Sequence, residues 1–294
     1  MRYAPLFAAL AAVLWAPFAA AQPREDFTPA LFVVRDADST LYLYGTVHML
    51  PPGSEWASER VRAALAEADE VWTETNFYDE ERIRVYAEEF WAGLDTPAAT
   101  PLTQRLNAAQ QRRMLMISKA LGISRRQLDA MEPWEAALML VGIEPEHATS
   151  EAGVDQQVVN TALRAGVRTN WLEEGSVAEM AALPQEVQLE FLLYIIEGEQ
   201  TDDDVSEGDR LWRQGKVEEL FAREIEPMRA AYPNLYGWIV VERNTAWMDK
   251  LVREMNGAGV DFVAVGAAHL AGPHSLPAMF AQRGYTVERL SPAN

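Results

Sequence analysis

The chain has 294 residues, 49% of them hydrophobic, with 25 basic against 44 acidic side chains and a formal charge of −19. That balance argues against nucleic acid and anionic lipid as partners, because phosphate binding draws on clustered Lys and Arg, whereas a negative field favours divalent cations. Cysteine is absent, which removes a lipid-anchored cysteine and a disulfide framework together, so a packed core must supply the stability.

Arg2 precedes an apolar run from Tyr3 to Ala20 that ends in small residues, the pattern of a signal peptide over 1–21 cleaved after Ala21. A retained transmembrane anchor is the alternative, and Pro5 and Pro17 interrupt the run that such an anchor would need. The expectation is a periplasmic or secreted protein with no stable membrane span after cleavage. A linker at 22–30 then leads into one domain over 31–294.

Leu31–Asp36 and Thr40–Tyr44 read as two strands joined by a turn, the second ending at Gly45-Thr46-Val47-His48. Ser54 to Ala68 has helical spacing, with Trp56, Val61 and Leu65 on one face and Ser54 or Ser58 as its cap. Asp69 to Glu74 alternates as a short strand that closes on an acid; a strand, helix and strand in succession make the outer two parallel. A large helical insert follows at about 79–231, broken at Pro101, Pro133, Pro145 and Pro184. Within it, Met114, Leu115, Ile117 and Leu121 are spaced as a buried stripe, and Val167–Glu173 reads as another strand. The acidic run Asp202-Asp203-Asp204 with Glu207 lacks calcium-loop spacing and reads as a solvated interhelix loop, and His147 as a surface residue. Leu235–Glu254 reads as one helix, Val260–Val265 as a buried parallel strand ending at Gly266-Ala267-Ala268-His269, Leu276–Gln282 as a helix and Tyr285–Leu290 as the last strand. The fold class is α/β (α+β): a central mixed sheet built from two similar strand, Gly-x-x-His, helix units, with the helical insert between them.

Four histidines among 294 residues rarely fall three places after a glycine, yet Gly45-x-x-His48 and Gly266-x-x-His269 both do so at a strand end. Glycine lets the chain turn off the strand, and a histidine at the carboxyl end of a strand reaches the crevice where open α/β sheets bind ligands. Glu74 closes a third strand. Two imidazoles and a carboxylate can hold a divalent metal that lowers the pKa of water, with Glu74 either a ligand or the general base. Arg243 and Asn244 could bind a substrate carboxylate or hold Glu74, while His274 either reaches the site or occupies a turn. Walker, dinucleotide, H-E-x-x-H and nucleophile-elbow motifs are missing from the sequence.

These residues, with Met131-Glu132-Pro133-Trp134, Gly153-Val154-Asp155, Leu172-Glu173-Glu174 and Glu242-Arg243-Asn244, resemble the TraB/GumN family over about Phe32 to Leu290. That family is related to the Tiki proteases and looks distantly like the erythromycin-esterase and ChaN-like group. The resemblance implies a metal-dependent peptidase with manganese or cobalt, or possible zinc, as cofactor and a peptide or small acyl compound as substrate. His48, His269 and Glu74 would be its metal or catalytic residues and Arg243 a supporting one. His274 departs from the acid or glycine usual at that turn. Two rivals stand beside this reading: a metal-free hydrolase with His48 or His269 as base beside Glu74, and a non-enzymatic periplasmic binding or regulatory protein.

Overall fold

A computed structural model describes residues 27–48, 50, 53–76, 79–141, 153–198 and 202–290. The signal-peptide reading at 1–21 and the surface reading of His147 lie outside them.

The described residues open with the hairpin β1 (Leu31–Arg35) and β2 (Ser39–Thr46), whose turn is closed by the Asp36 carboxylate accepting from the N–H groups of Asp38 and Ser39. The first helix, α1 (Glu59–Glu67), is shorter than its periodicity predicts. Ser58 caps it by accepting from Val61 N–H, and the Tyr44 hydroxyl donates to the Trp56 carbonyl, which keeps the residues before the cap out of the helix. After β3 (Glu70–Thr73) come α2 (Glu80–Gly93), a 3₁₀ turn at Leu102–Arg105, α3 (Ala108–Ala120), α4 (Arg125–Asp129), α5 (Pro133–Val141) and α6 (Val154–Ala165). A short strand, β4 (Arg168–Trp171), separates these from α7 (Val177–Ala181), α8 (Gln185–Glu197), α9 (Asp202–Arg213) and α10 (Val217–Leu220). The acidic run at 202–204 therefore belongs to a helix and not to a loop.

The helix expected over Leu235–Glu254 is likewise interrupted. A π turn at Phe221–Ile225 precedes α11 (Glu226–Ala231) and α12 (Pro233–Tyr236), and a second π turn at Gly237–Glu242 runs into α13 (Arg243–Met255). The fold closes with β5 (Gly259–Gly266), a 3₁₀ turn at Ala267–Leu270, α14 (Leu276–Gln282) and β6 (Thr286–Arg289).

The six strands form one mixed sheet in the order β4-β3-β5-β2-β1-β6. β2, β3 and β4 run parallel to β5, which lies between β2 and β3, and β1 runs against both of its neighbours. Phe262, Val263, Ala264 and Val265 are fully buried, as a strand covered on both faces requires. The main core joins this sheet to α1, α6, α13 and α14, while Leu102, Met114, Leu128, Leu140, Leu192 and Ile196 form a separate core within the helical insert. Of the expected stripe on α3, Met114 is buried and Leu115 and Ile117 pack at the edge of that core; Leu121, just past the helix end, is 45% exposed. Among the described residues no helix is long and apolar enough to cross a membrane.

Candidate functional site

Register sets the site. Thr46 pairs with Gly266 and Thr73 with Ala264, so the carboxyl ends of β2, β5 and β3 lie side by side and bring His48, His269 and Glu74 to one edge. Gly266 is the contact point: its N–H donates to Glu74 Oε1 at 2.6 Å. A Cβ on Gly266 would sit 3.2 Å from that same oxygen and 3.7 Å from the His269 ring, which explains the glycine by close approach.

Glu74 is held from the other side by Arg243, whose Nη2 donates to Oε2 at 2.6 Å. The same guanidinium donates to Glu173 from Nε and Nη2, at 2.6 to 3.1 Å. Trp247 lies 4.7 Å beneath the guanidinium, gives its own N–H to Glu173 and packs against the His269 ring at 4.6 Å. Burial alone would raise the Glu74 carboxyl; Arg243, the two histidines and the Gly266 N–H outweigh it and hold the acid well below the usual carboxylate range. The paired acids in turn raise the Arg243 guanidinium against its burial.

His269 is 4% exposed by its side chain, and burial lowers it from 6.5 to about 3. Its Nδ1 lies 2.7 Å from Asn244 Oδ1, and Asn244 Nδ2 donates to the His274 carbonyl at 2.7 Å. That second bond fixes which end of the amide faces His269, so Nδ1 carries the proton and the lone pair sits on Nε2, 3.8 Å from Glu74 Oε1. His274 occupies a turn, and its ring meets the Tyr236 hydroxyl at 2.9 Å. It serves the site through its carbonyl.

His48 is 75% exposed at the rim, with Nδ1 3.3 Å from Asp155 Oδ2. The hydrogen bond to Asp155 raises the imidazole, an effect that solvent at so open a side chain screens. The donor atoms of His48, Glu74 and His269 do not all lie within 4.8 Å of one another. Glu74 and His269 touch, and His48 is coupled to both through charge. The donor set nevertheless suits a divalent cation: each imidazole has its Nδ1 engaged by a side chain, the arrangement that orients metal-binding histidines, and the carboxylate stays anionic. Glu70, Glu254 and Asp261 do bring three carboxylate oxygens within 4.8 Å, toward the amino ends of β3 and β5, but Glu70 is already engaged by Arg168 and Asn170.

Asp155, Glu173 and Trp247 carry this geometry without having been assigned a role from sequence. Asp155 and Glu173 stood in short runs of the resemblance, the only signal that could have pointed to them. The sequence model of the TraB/PrgY/gumN family matches residues 30–289. Neither a curated protein nor a solved structure gives a match.

Proposed function

The chain belongs to the TraB/PrgY/gumN family, and from that footing we propose that it is an exported hydrolase of peptide or small acyl substrates, with a divalent cation held by His48, Glu74 and His269. The observation that carries the reading is the meeting of both Gly-x-x-His motifs and Glu74 at the carboxyl ends of three neighbouring strands, with the Nδ1 of each histidine already engaged. Manganese or cobalt, or zinc, would supply Lewis acidity there, lowering the pKa of water and polarising the scissile carbonyl. The protein's own part is to present donors. Asn244 keeps the His269 Nε2 lone pair toward Glu74, and Arg243 and the Gly266 N–H keep Glu74 anionic and fixed in place. Of the two roles open to Glu74, ligand and base, a carboxyl so strongly acidified favours ligand, because general bases work best with a pKa near the operating pH. Arg243 supports the site by neutralising Glu74 and Glu173 together.

A second reading is favoured by the His48–Asp155 pair, which has the form of a histidine base oriented by a carboxylate and needs no metal. Both are tested by treating the purified chain with chelator, adding back cobalt or manganese, and following hydrolysis of a peptide library and of acyl esters. The metal reading expects activity that chelation abolishes and cobalt or manganese restores, and that His269→Ala lacks. Activity indifferent to chelator would overturn it in favour of the His48–Asp155 base. No hydrolysis of any substrate would leave a binding protein.

A further inference from the structure

We propose that Asp155 is a positioning residue that holds the His48 ring with Nε2 toward the crevice, the service that Asn244 performs for His269. The proposal rests on the metal-binding reading only for what that nitrogen then meets.

Three consecutive motif residues contact the amino end of α6. Thr46 Oγ1 donates to Asp155 Oδ1 at 2.7 Å, Val154 N–H donates to the Val47 carbonyl at 3.0 Å, and His48 Nδ1 lies 3.3 Å from Asp155 Oδ2. A carboxylate only accepts, so the proton between them belongs to His48 Nδ1 and the lone pair of the neutral ring falls on Nε2. Asp155 is 5% exposed, and among the described residues no Arg or Lys pairs with it. Burying an acid without a cation is costly; the first turn of α6 and the Thr46 hydroxyl offset part of that cost and also fix the rotation of the carboxylate. The two histidines differ in what restrains them. His269 is packed against Trp247 and buried, so a neutral amide suffices to set its ring. His48 is 75% exposed, and its bond to the buried Asp155 carboxylate gives its ring a direction. A residue that served only to dock α6 would not need to reach past Thr46 to His48, because Val154 already anchors the helix through its backbone.

The test uses the full chain with isotope-labelled histidine, as wild type, Asp155→Ala and Asp155→Asn, read in two ways. In metal-free protein, at a pH where the ring is neutral, the His48 nitrogen-15 shifts are expected to show the proton on Nδ1 and the lone pair on Nε2 in the wild type, to move toward the tautomer average in Asp155→Ala, and to move less in Asp155→Asn. Cobalt(II) titration is expected to show affinity reduced about 10- to 100-fold in Asp155→Ala and less in Asp155→Asn, with an altered visible spectrum. The asparagine variant keeps the shape of the side chain and serves alone if the alanine variant does not fold. Wild-type His48 shifts that show no preference for the Nδ1–H tautomer, or shifts unchanged in the variants, overturn the proposal. Should the His48 tautomer follow Asp155 while no form of the chain binds cobalt, Asp155 keeps its positioning role and the metal-binding reading is the one that fails.

Discussion

At the scale of single residues the site is a competition between burial and charge, and Glu74 shows which wins. Arg243, two imidazoles and one backbone N–H hold the carboxylate ionised against burial. Glu74→Gln keeps the size of the side chain but removes the anion, so cobalt affinity should fall by at least about 10- to 100-fold. Calorimetry checks this; unchanged affinity with lost activity would return Glu74 to the role of base. His269 makes a different prediction, for the metal-free chain. Its folded pKa of about 3 lies below the ordinary 6.5, so below pH 6.5 the unfolded chain takes up a proton that the folded chain refuses. The stability this group contributes is complete above pH 6.5 and is lost as pH falls toward 3, at about 1.4 kcal/mol per pH unit. Glu74, with an ordinary value of 4.5, adds its loss only below that pH. Thermal melts of His269→Gln should therefore be flatter than wild type between pH 6.5 and 4.5, and parallel curves would contradict the assignment. In the sequence, glycine spacing and strand ends single out His48, Glu74 and His269, and Arg243 stands out as a basic residue in an acidic and apolar stretch; the structure brings the four to one edge of the sheet. Asp155 was not legible in the sequence, since 107 residues separate it from His48 and an aspartate in a chain with 44 acids attracts no notice.

Among elements, the strands and their parallel pairing followed from the alternation and apolar runs of the sequence, whereas the two π turns did not, because one extra residue per turn leaves composition unchanged. Both turns bear on the His269 loop. The second leads directly into Arg243 and Asn244, and Phe221, at the start of the first, lies against Gly272. Gly272 has a φ of +82°, and a Cβ there would come within 2.4 Å of the Phe221 ring. Gly272→Ala should cost about 2–4 kcal/mol from backbone strain and overpacking together, measured by denaturant unfolding. Gly266→Ala separates site from stability. Gly266 has a φ of −50°, so the backbone accepts alanine, and the new methyl presses on Glu74 and His269. Its unfolding midpoint should stay near wild type while cobalt binding weakens; the reverse pattern would count against the close-approach explanation.

Over the whole molecule the sheet carries the site and the helical insert carries a core of its own. Leu128→Ala, in that second core, should cost about 2–5 kcal/mol while the folded fraction still binds metal with wild-type affinity. Export is tested by the mass of the mature amino terminus, expected to begin at Gln22. The helical character of the segment after β3 was readable from its periodicity and prolines, but which of its residues would fold back onto the strand ends was not: Glu173 lies beside Arg243 because β4 pairs with β3. The most direct measurement is calorimetric titration of the metal-free chain with cobalt(II), alongside His48→Ala, Glu74→Gln and His269→Ala. One ion per chain is expected in the wild type, with a large loss of affinity in all three variants and their folds retained. Binding that survives in all three, or no binding in the wild type, would contradict that expectation.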